Sequence, residues 1–386
     1  MTNADLPDEL RPADEARELG AGPHDLRARA RILAAPVTVV LMGLCVASFL
    51  ATLGACVTRI EAPSAMLTGS WIRLEGCGDT LAGLGALRLS DLWLDGAWWR
   101  VITAGLLHGS WLHLVLNTWS LWVVGEWVES TWGHARAAVV FAISSVAGCL
   151  ASAAWVEAPM VVGASAGIMG MAGALFIGRV LGRGTVGARL SPLSARVLGI
   201  WLAVLVGLGF FVEMIAQAGH LGGLVAGGLL GLAWSVRGPV VALGARMGLG
   251  ILFAGLVLAA RQPQGRARYD EYLGYAYLER GRDEEAIVAF ERALEQRPSD
   301  AALANAVAYG WAKEGRELDR AERLVRGALE IEPENADYVD TLGWILCRRG
   351  ETEAGLVEIR RASALSEGKV AEIEEHLETC ATAAER

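Results

Sequence analysis

Val161-Val162-Gly163-Ala164-Ser165-Ala166-Gly167-Ile168-Met169-Gly170 opens an apolar run that continues to Leu181, and a later run begins Ala218-Gly219-His220-Leu221-Gly222-Gly223. Both have the length and apolarity of helices that cross a lipid bilayer, about 17–25 residues. A serine and a histidine inside such segments are a nucleophile and a base that water must reach. Ionisable groups at membrane depth are costly, which makes His220 and the hydroxyl of Ser165 candidate functional groups.

Working outward, the whole chain of 386 residues is 53% hydrophobic and carries 14 Trp, with a mean hydropathy of +0.38. That composition indicates a membrane protein, and tryptophan favours the membrane interface. The net charge of −9 excludes a nucleic-acid partner as the first expectation. The acidity is uneven: carboxylates crowd the region after about residue 268, while the apolar part carries arginines in its loops. Two domains of different solvent preference follow. The six cysteines show no CxxC and no metal spacing; Cys45, Cys56 and Cys149 lie in apolar runs and read as small packing residues. No metal and no cofactor is expected.

Seven spans are expected: Pro36 to Cys56, Val101 to Val124, Ala137 to Val156, Ser165 to Leu181, Leu193 to Met214, Ala218 to Val236, and Val240 to Ala260. The seventh contains Arg246. The polar first 35 residues read as an uncleaved cytoplasmic tail, with Arg27, Arg29 and Arg31 before the first span. Basic residues in short loops mark the cytoplasmic side. Arg136, the group Arg183, Arg189 and Arg196, and Arg237 all fall on that side when crossings are counted. Seven crossings then put the C-terminal region outside. Arg261, Arg266 and Arg268 pull the other way, and without a seventh crossing that region is cytoplasmic.

The last third differs in kind. Leu273-Gly274, Tyr277, Ala286, Phe290, Ala293 and Pro298 form one unit; Ala308, Trp311, Ala321, Val325, Ala328 and Pro333 a second with one extra residue; Leu342-Gly343, Gly350, Ile359 and Ala362 a third. The period is that of a 34-residue helix-turn-helix repeat, and the pattern resembles tetratricopeptide repeats. Val370 to Thr379 reads as an amphipathic helix capping the stack.

Ser165 opens the fourth span and His220 lies near the start of the sixth, so both sit within a turn or two of the same outer surface. Serine needs a neighbouring base to become a nucleophile, and neutral imidazole supplies one. Taken alone, Ser165 is more simply a helix-packing residue. The second span changes that balance. His113 and Asn117 lie four residues apart on one helix face, at the same depth, and both can donate to a developing oxyanion. Peptide hydrolysis within the bilayer is the chemistry this set suggests.

Four pieces together resemble the rhomboid intramembrane serine proteases: Trp99-Arg100 before the second span; His108, His113 and Asn117; Gly163-x-Ser165 with Gly170; and His220-x-x-Gly223-x-x-x-Gly227. The resemblance covers about residues 36 to 236. It implies a Ser165/His220 dyad, oxyanion donors from Asn117, His113 and the Ser165 backbone, and supporting roles for Gly163, Arg100, His108, Gly223 and Gly227. Glu213 is the acid nearest His220 in sequence order, and a dyad does not require it. Transmembrane protein substrates and membrane lipid are the implied partners, with a protein adaptor or substrate on the repeats. The alternatives are a catalytically inactive rhomboid-like protein that binds membrane clients, or a repeat scaffold with an apolar anchor.

The expected fold is all-α: a polytopic membrane helical bundle of six core spans (36–236) plus a seventh (237–262), then a tetratricopeptide repeat solenoid with its cap (268–386). The added helix and repeats resemble a bacterial subset of the family.

Overall fold

The computed structural model describes residues 35–57, 77–181, 194–208, 216–261, 263 and 266–384. It divides into two compact units, Met1–Gln262 and Pro263–Arg386. The first contains α1 (Pro36–Val57), the short α2 (Gly78–Gly83), β1 (Leu87–Arg88), α3 (Leu89–Leu94) and α4 (Arg100–Thr103). It continues with α5 (Trp111–Trp132), α6 (His134–Trp155), β2 (Met160–Val161), α7 (Ser165–Leu181), α8 (Ala195–Leu208), α9 (Gln217–Ser235) and α10 (Pro239–Arg261). Among the described residues, α1, α6 and α10 are long and apolar enough to cross a membrane by length and composition.

Five of the seven expected spans agree with helices to within about three residues. The second is corrected at both ends. It begins at Trp111 rather than Val101, because Arg100–Thr103 and a single 3-10 turn, Ala104–Leu106, fold separately. Ser110 then starts the helix with an extended backbone and a side chain that accepts from the His113 amide, a good N-cap. It ends at Trp132 rather than Val124, although Glu126 and Glu129 interrupt the apolar pattern. Glu129 is buried but satisfied: it accepts from the backbone of Val37 and Thr38, from the Thr38 hydroxyl, and meets Nδ1 of His134 at 2.6 Å. A carboxylate so engaged costs little to bury, and it caps the open amides of α1. The end of the fifth span, beyond Leu208, lies outside the described residues.

The bundle core is built from Phe49, Leu121, Val128, Val140, Met171 and Leu175. The heart of the packing is finer grained. A side chain on Gly223 would collide with the carbonyl of Ala166, one on Gly227 with that of Gly170, and one on Gly231 with that of Ala174. Two rows of small residues at four-residue spacing thus let α7 and α9 meet backbone to backbone. Helices in lipid gain nothing from hiding apolar surface from one another, so close approach of small residues drives their packing.

The second unit is three helix pairs: α11 (Ala267–Glu279) with α12 (Asp283–Gln296), α13 (Ala301–Glu314) with α14 (Leu318–Ile331), and α15 (Ala336–Arg348) with α16 (Thr352–Leu365). Helix α17 (Ala371–Ala384) follows. The pairs start at 267, 301 and 336, so the extra residue expected in the second unit is present. Phe290, Leu303, Val307, Trp311, Val325 and Ile345 fill the core between repeats, and Val339, Ile359, Ile373 and Cys380 join the cap to it.

Two disulfides close the account of the cysteines. Cys56 pairs with Cys77 across 21 positions, which corrects the expectation that Cys56 only packs. Cys347 pairs with Cys380 across 33, tying α15 to α17. Cys45 and Cys149 are free and buried.

Candidate active site

Ser165 is the first residue of α7. Its backbone N–H belongs to the first turn, which has no intrahelical acceptor. The chain arrives there through β2, whose Met160 and Val161 pair antiparallel with Arg88 and Leu87 of β1. Gly163 follows at φ +119° and donates its N–H to the carbonyl of Ala104 at 3.0 Å. That conformation favours glycine, and space demands it too. A Cβ on Gly163 would lie 2.6 Å from Cε1 and 2.7 Å from Nε2 of His113, and 3.6 Å from Nδ2 of Asn117.

His113 and Asn117 therefore converge on the backbone two residues before Ser165. Asn117 is 6% exposed, and its Nδ2 has no hydrogen-bond partner. A buried amide donor left open is costly and is free for a further acceptor. The His108 ring lies 5.1 Å from that of His113, edge to face, and is fully buried. His113 is within electrostatic range of both His108 and His220.

His220 is in the first turn of α9, half-buried like Ser165. A side chain on Gly148 of α6 would meet both Cβ of Ala166 and the carbonyl of Gly219. The residues next to Ser165 and His220 are thus gathered against one point of α6. The start of α9 is fixed from two sides. The Ala218 amide donates to Oε1 of Glu157 at 2.7 Å, and the Gln217 side-chain amide donates to the carbonyl of Val206 at 2.8 Å. Sequence order pointed to Glu213, which lies outside the described residues. The carboxylate that reaches α9 is Glu157, 61 positions from its partner, and no local signal marked it.

Arg100 is set back from this cluster. Its guanidinium pairs with Asp91 at 3.1 Å, donates to the carbonyl of Ala86 at 2.9 Å and to that of Ala82, and lies 4.8 Å from the Trp99 ring centre. It knits the segment between α1 and α5. Gly223 and Gly227 lie on the packed face of α9 below His220. Among the described residues, no three His, Cys, Asp or Glu side chains are grouped to hold a metal ion.

Comparison with known proteins bears on the fold and family. Residues 95–237 match the rhomboid domain, and residues 271–300 match the tetratricopeptide repeat. The rhomboid protease GluP of Bacillus subtilis is 29% identical over 273 residues, 67% of this chain and 51% of that protein. The rhomboid-family protein YdcA of the same organism is 32% identical over 139 residues, 35% of this chain and 67% of that protein. RHOMBOID-like protein 6, mitochondrial, of Arabidopsis thaliana is 32% identical over 153 residues, 39% of this chain and 48% of that protein. The chain belongs to the rhomboid family, as a multi-pass all-α membrane protein with a tetratricopeptide repeat region. It spans about half the length of GluP and of RHOMBOID-like protein 6.

Proposed function

We propose that this protein is an intramembrane serine endopeptidase that cleaves transmembrane segments of other proteins, with Ser165 as nucleophile and His220 as general base. The observation that carries the proposal is the convergence of His113 and Asn117 on Gly163, beside a serine at a helix N-terminus and a histidine helix packed against its neighbour. His220 takes the proton of the Ser165 hydroxyl as the oxygen attacks the scissile carbonyl, then returns it to the leaving amine. The negative charge that develops on the carbonyl oxygen falls to three donors: the Ser165 amide at the positive end of the α7 dipole, the open Nδ2 of Asn117, and His113. Water then hydrolyses the acyl-enzyme by the same route. Gly163 keeps a side chain out of the space between the nucleophile and its oxyanion donors.

Two features support an extracytoplasmic site and repeat domain in a bacterial inner membrane. Disulfides persist in oxidising compartments, and both lie on one side if each of the six expected spans after α1 crosses. The seventh helix is long and apolar enough to cross a membrane. It starts after α9 ends, and its far end reaches the segment that follows α1, where the Trp93 indole donates to the carbonyl of Ala260 at 2.9 Å and Arg261 lies 5.5 Å from the Trp98 ring centre. The repeats offer a groove of about 500 Å³ lined by Tyr275, Asn305, Tyr309, Lys313, Tyr338 and Glu372, a surface for recruiting a substrate or adaptor.

Co-expression with a model single-pass substrate tests the reading. Ser165→Ala and His220→Ala each abolish cleavage while the protein accumulates normally; persistent cleavage by Ser165→Ala removes the proposal. Asn117→Ala lowers kcat by about 10²–10³ with little change in KM, read by quantitative cleavage in proteoliposomes. A reporter placed after Arg386 reads as extracytoplasmic, and a cytoplasmic signal means that α10 does not cross.

A further inference from the structure

At the opposite end of the bundle from Ser165 and His220, four helix ends enclose a pocket of about 190 Å³. It is lined by Thr131 and Trp132 of α5, Arg136 of α6, Arg179 of α7, and Trp234 and Ser235 of α9. Arg179 follows Ser165, and Trp234 follows His220, by the same fourteen positions. At about 1.5 Å per residue the pocket lies some 20 Å from the dyad along both helices, which is the depth of the other membrane interface.

Its walls are built, not incidental. The Trp132 and Trp234 rings meet edge to face at 5.8 Å, and the Arg136 guanidinium lies 5.4 Å from the Trp234 ring centre. Gly178 lets Trp132 lie against α7: a Cβ there would come within 2.7 Å of the indole and 3.4 Å of the Ser235 hydroxyl. Two guanidiniums and a hydroxyl around a cavity are a donor set for a tetrahedral oxyanion. Paired tryptophans at a helix-bundle end belong to the headgroup layer, where basic pockets between membrane helices take anionic lipid headgroups.

We propose that this pocket binds the phosphate of an anionic phospholipid in the leaflet opposite the dyad. A free phosphate shares the chemistry, but the position at four membrane-helix ends, between two interfacial indoles, favours the lipid. The bound headgroup bridges Arg136 and Arg179 and rests against α9, so it ties together the far ends of the helices that carry Ser165 and His220.

The test is native mass spectrometry of the full-length protein titrated with phosphatidylglycerol or phosphatidylcholine in mixed micelles. Wild type takes phosphatidylglycerol about tenfold more tightly, and the Arg136→Gln/Arg179→Gln double variant loses the preference. Arg237→Gln, on the same face outside the pocket, keeps it. Ser235→Asp retains both arginines but sets a carboxylate in the cavity; it also loses the preference, and decides the matter if the double variant does not fold. Equal affinity for the two lipids in wild type overturns the proposal. So does a preference that survives in the pocket variants, or one that Arg237→Gln removes as effectively, since that is diffuse surface charge. Inorganic phosphate alone, added at the same concentration, leaves the melting temperature unchanged; stabilisation equal to that by phosphatidylglycerol overturns the assignment to lipid.

Discussion

The bundle and the repeat domain both place glycine where helices meet, and the central contacts of each use it differently. In the bundle, Gly223, Gly227 and Gly231 face backbone carbonyls of α7. In the repeats, Gly274 faces the Phe290 ring and Gly310 faces Ile287, with a would-be Cβ at 2.5 Å in both cases. The difference follows from the solvent. Water rewards burying a phenyl ring or a branched chain by about 1.5–3 kcal/mol, so these two repeat glycines make room for large side chains, although Gly343 and Gly355 of the third pair do meet backbone to backbone. Lipid gives no such reward, and the bundle helices associate by bringing backbones together. Polar groups divide the same way. Ser144, Ser145, Ser152 and Asn117 sit buried in the bundle without side-chain hydrogen-bond partners, whereas the repeat surface is laced with ion pairs such as Arg297–Glu271 and Lys313–Asp283.

A matched pair of substitutions probes this contrast most strongly. Gly223→Ala drives a methyl into the carbonyl of Ala166, and backbone has nowhere to retreat. Its cost exceeds the usual ~1–3 kcal/mol of an overpacked site, and cleavage is lost together with bundle stability in detergent unfolding. Next come the disulfides. Cys347→Ser lowers the stability of the repeat domain, and Cys56→Ser that of the bundle, by about 3–4 kcal/mol each in the chain-entropy account. The loop of 33 positions gives the larger loss than that of 21, and thermal melts with and without reductant measure it. Gly274→Ala is milder, about 1–2 kcal/mol, because the Phe290 ring can swing aside; a loss as large as that of Gly223→Ala breaks the comparison.

The smallest effect is a pH slope. Asp340 and His376 form a buried pair at 2.7 Å between α15 and α17, beneath a stacked Trp344. Burial holds the Asp340 carboxyl above its ordinary value, with the bond to His376 opposing. An acid whose folded value is raised stabilises the fold most below its unfolded value of 3.8, and that contribution is lost as pH climbs through the folded value. Asp340→Asn therefore flattens the repeat-domain melting curve against pH across that window. A steeper slope in the variant contradicts the assignment.

Much of this was legible in the chain. The run from Ser165 to Leu181 is apolar apart from Arg179 and is followed by Gly182, so the expected fourth span and α7 share both ends. The repeat period and its one-residue insertion were readable because each unit repeats its own core positions. His113 and Asn117 were readable as a face because four residues make a turn. The ends of α5 were not. Val101 to Leu107 is as apolar as the helix that follows, and only the Ser110 cap, with Gly105 close against Ser145, sets the break. Glu129 looked like a terminus because its partners at Val37 and Thr38 are more than ninety positions away.

The sequence by itself determined composition, the apolar periods, the repeat phase and the residue types able to act as nucleophile, base and oxyanion donor, since each is a local property. Tertiary structure alone decided which carboxylate caps the His220 helix, which cysteines pair, and that Arg136, Arg179 and two tryptophans share one pocket. Those are contacts between distant segments, and their energies appear only once the helices have packed.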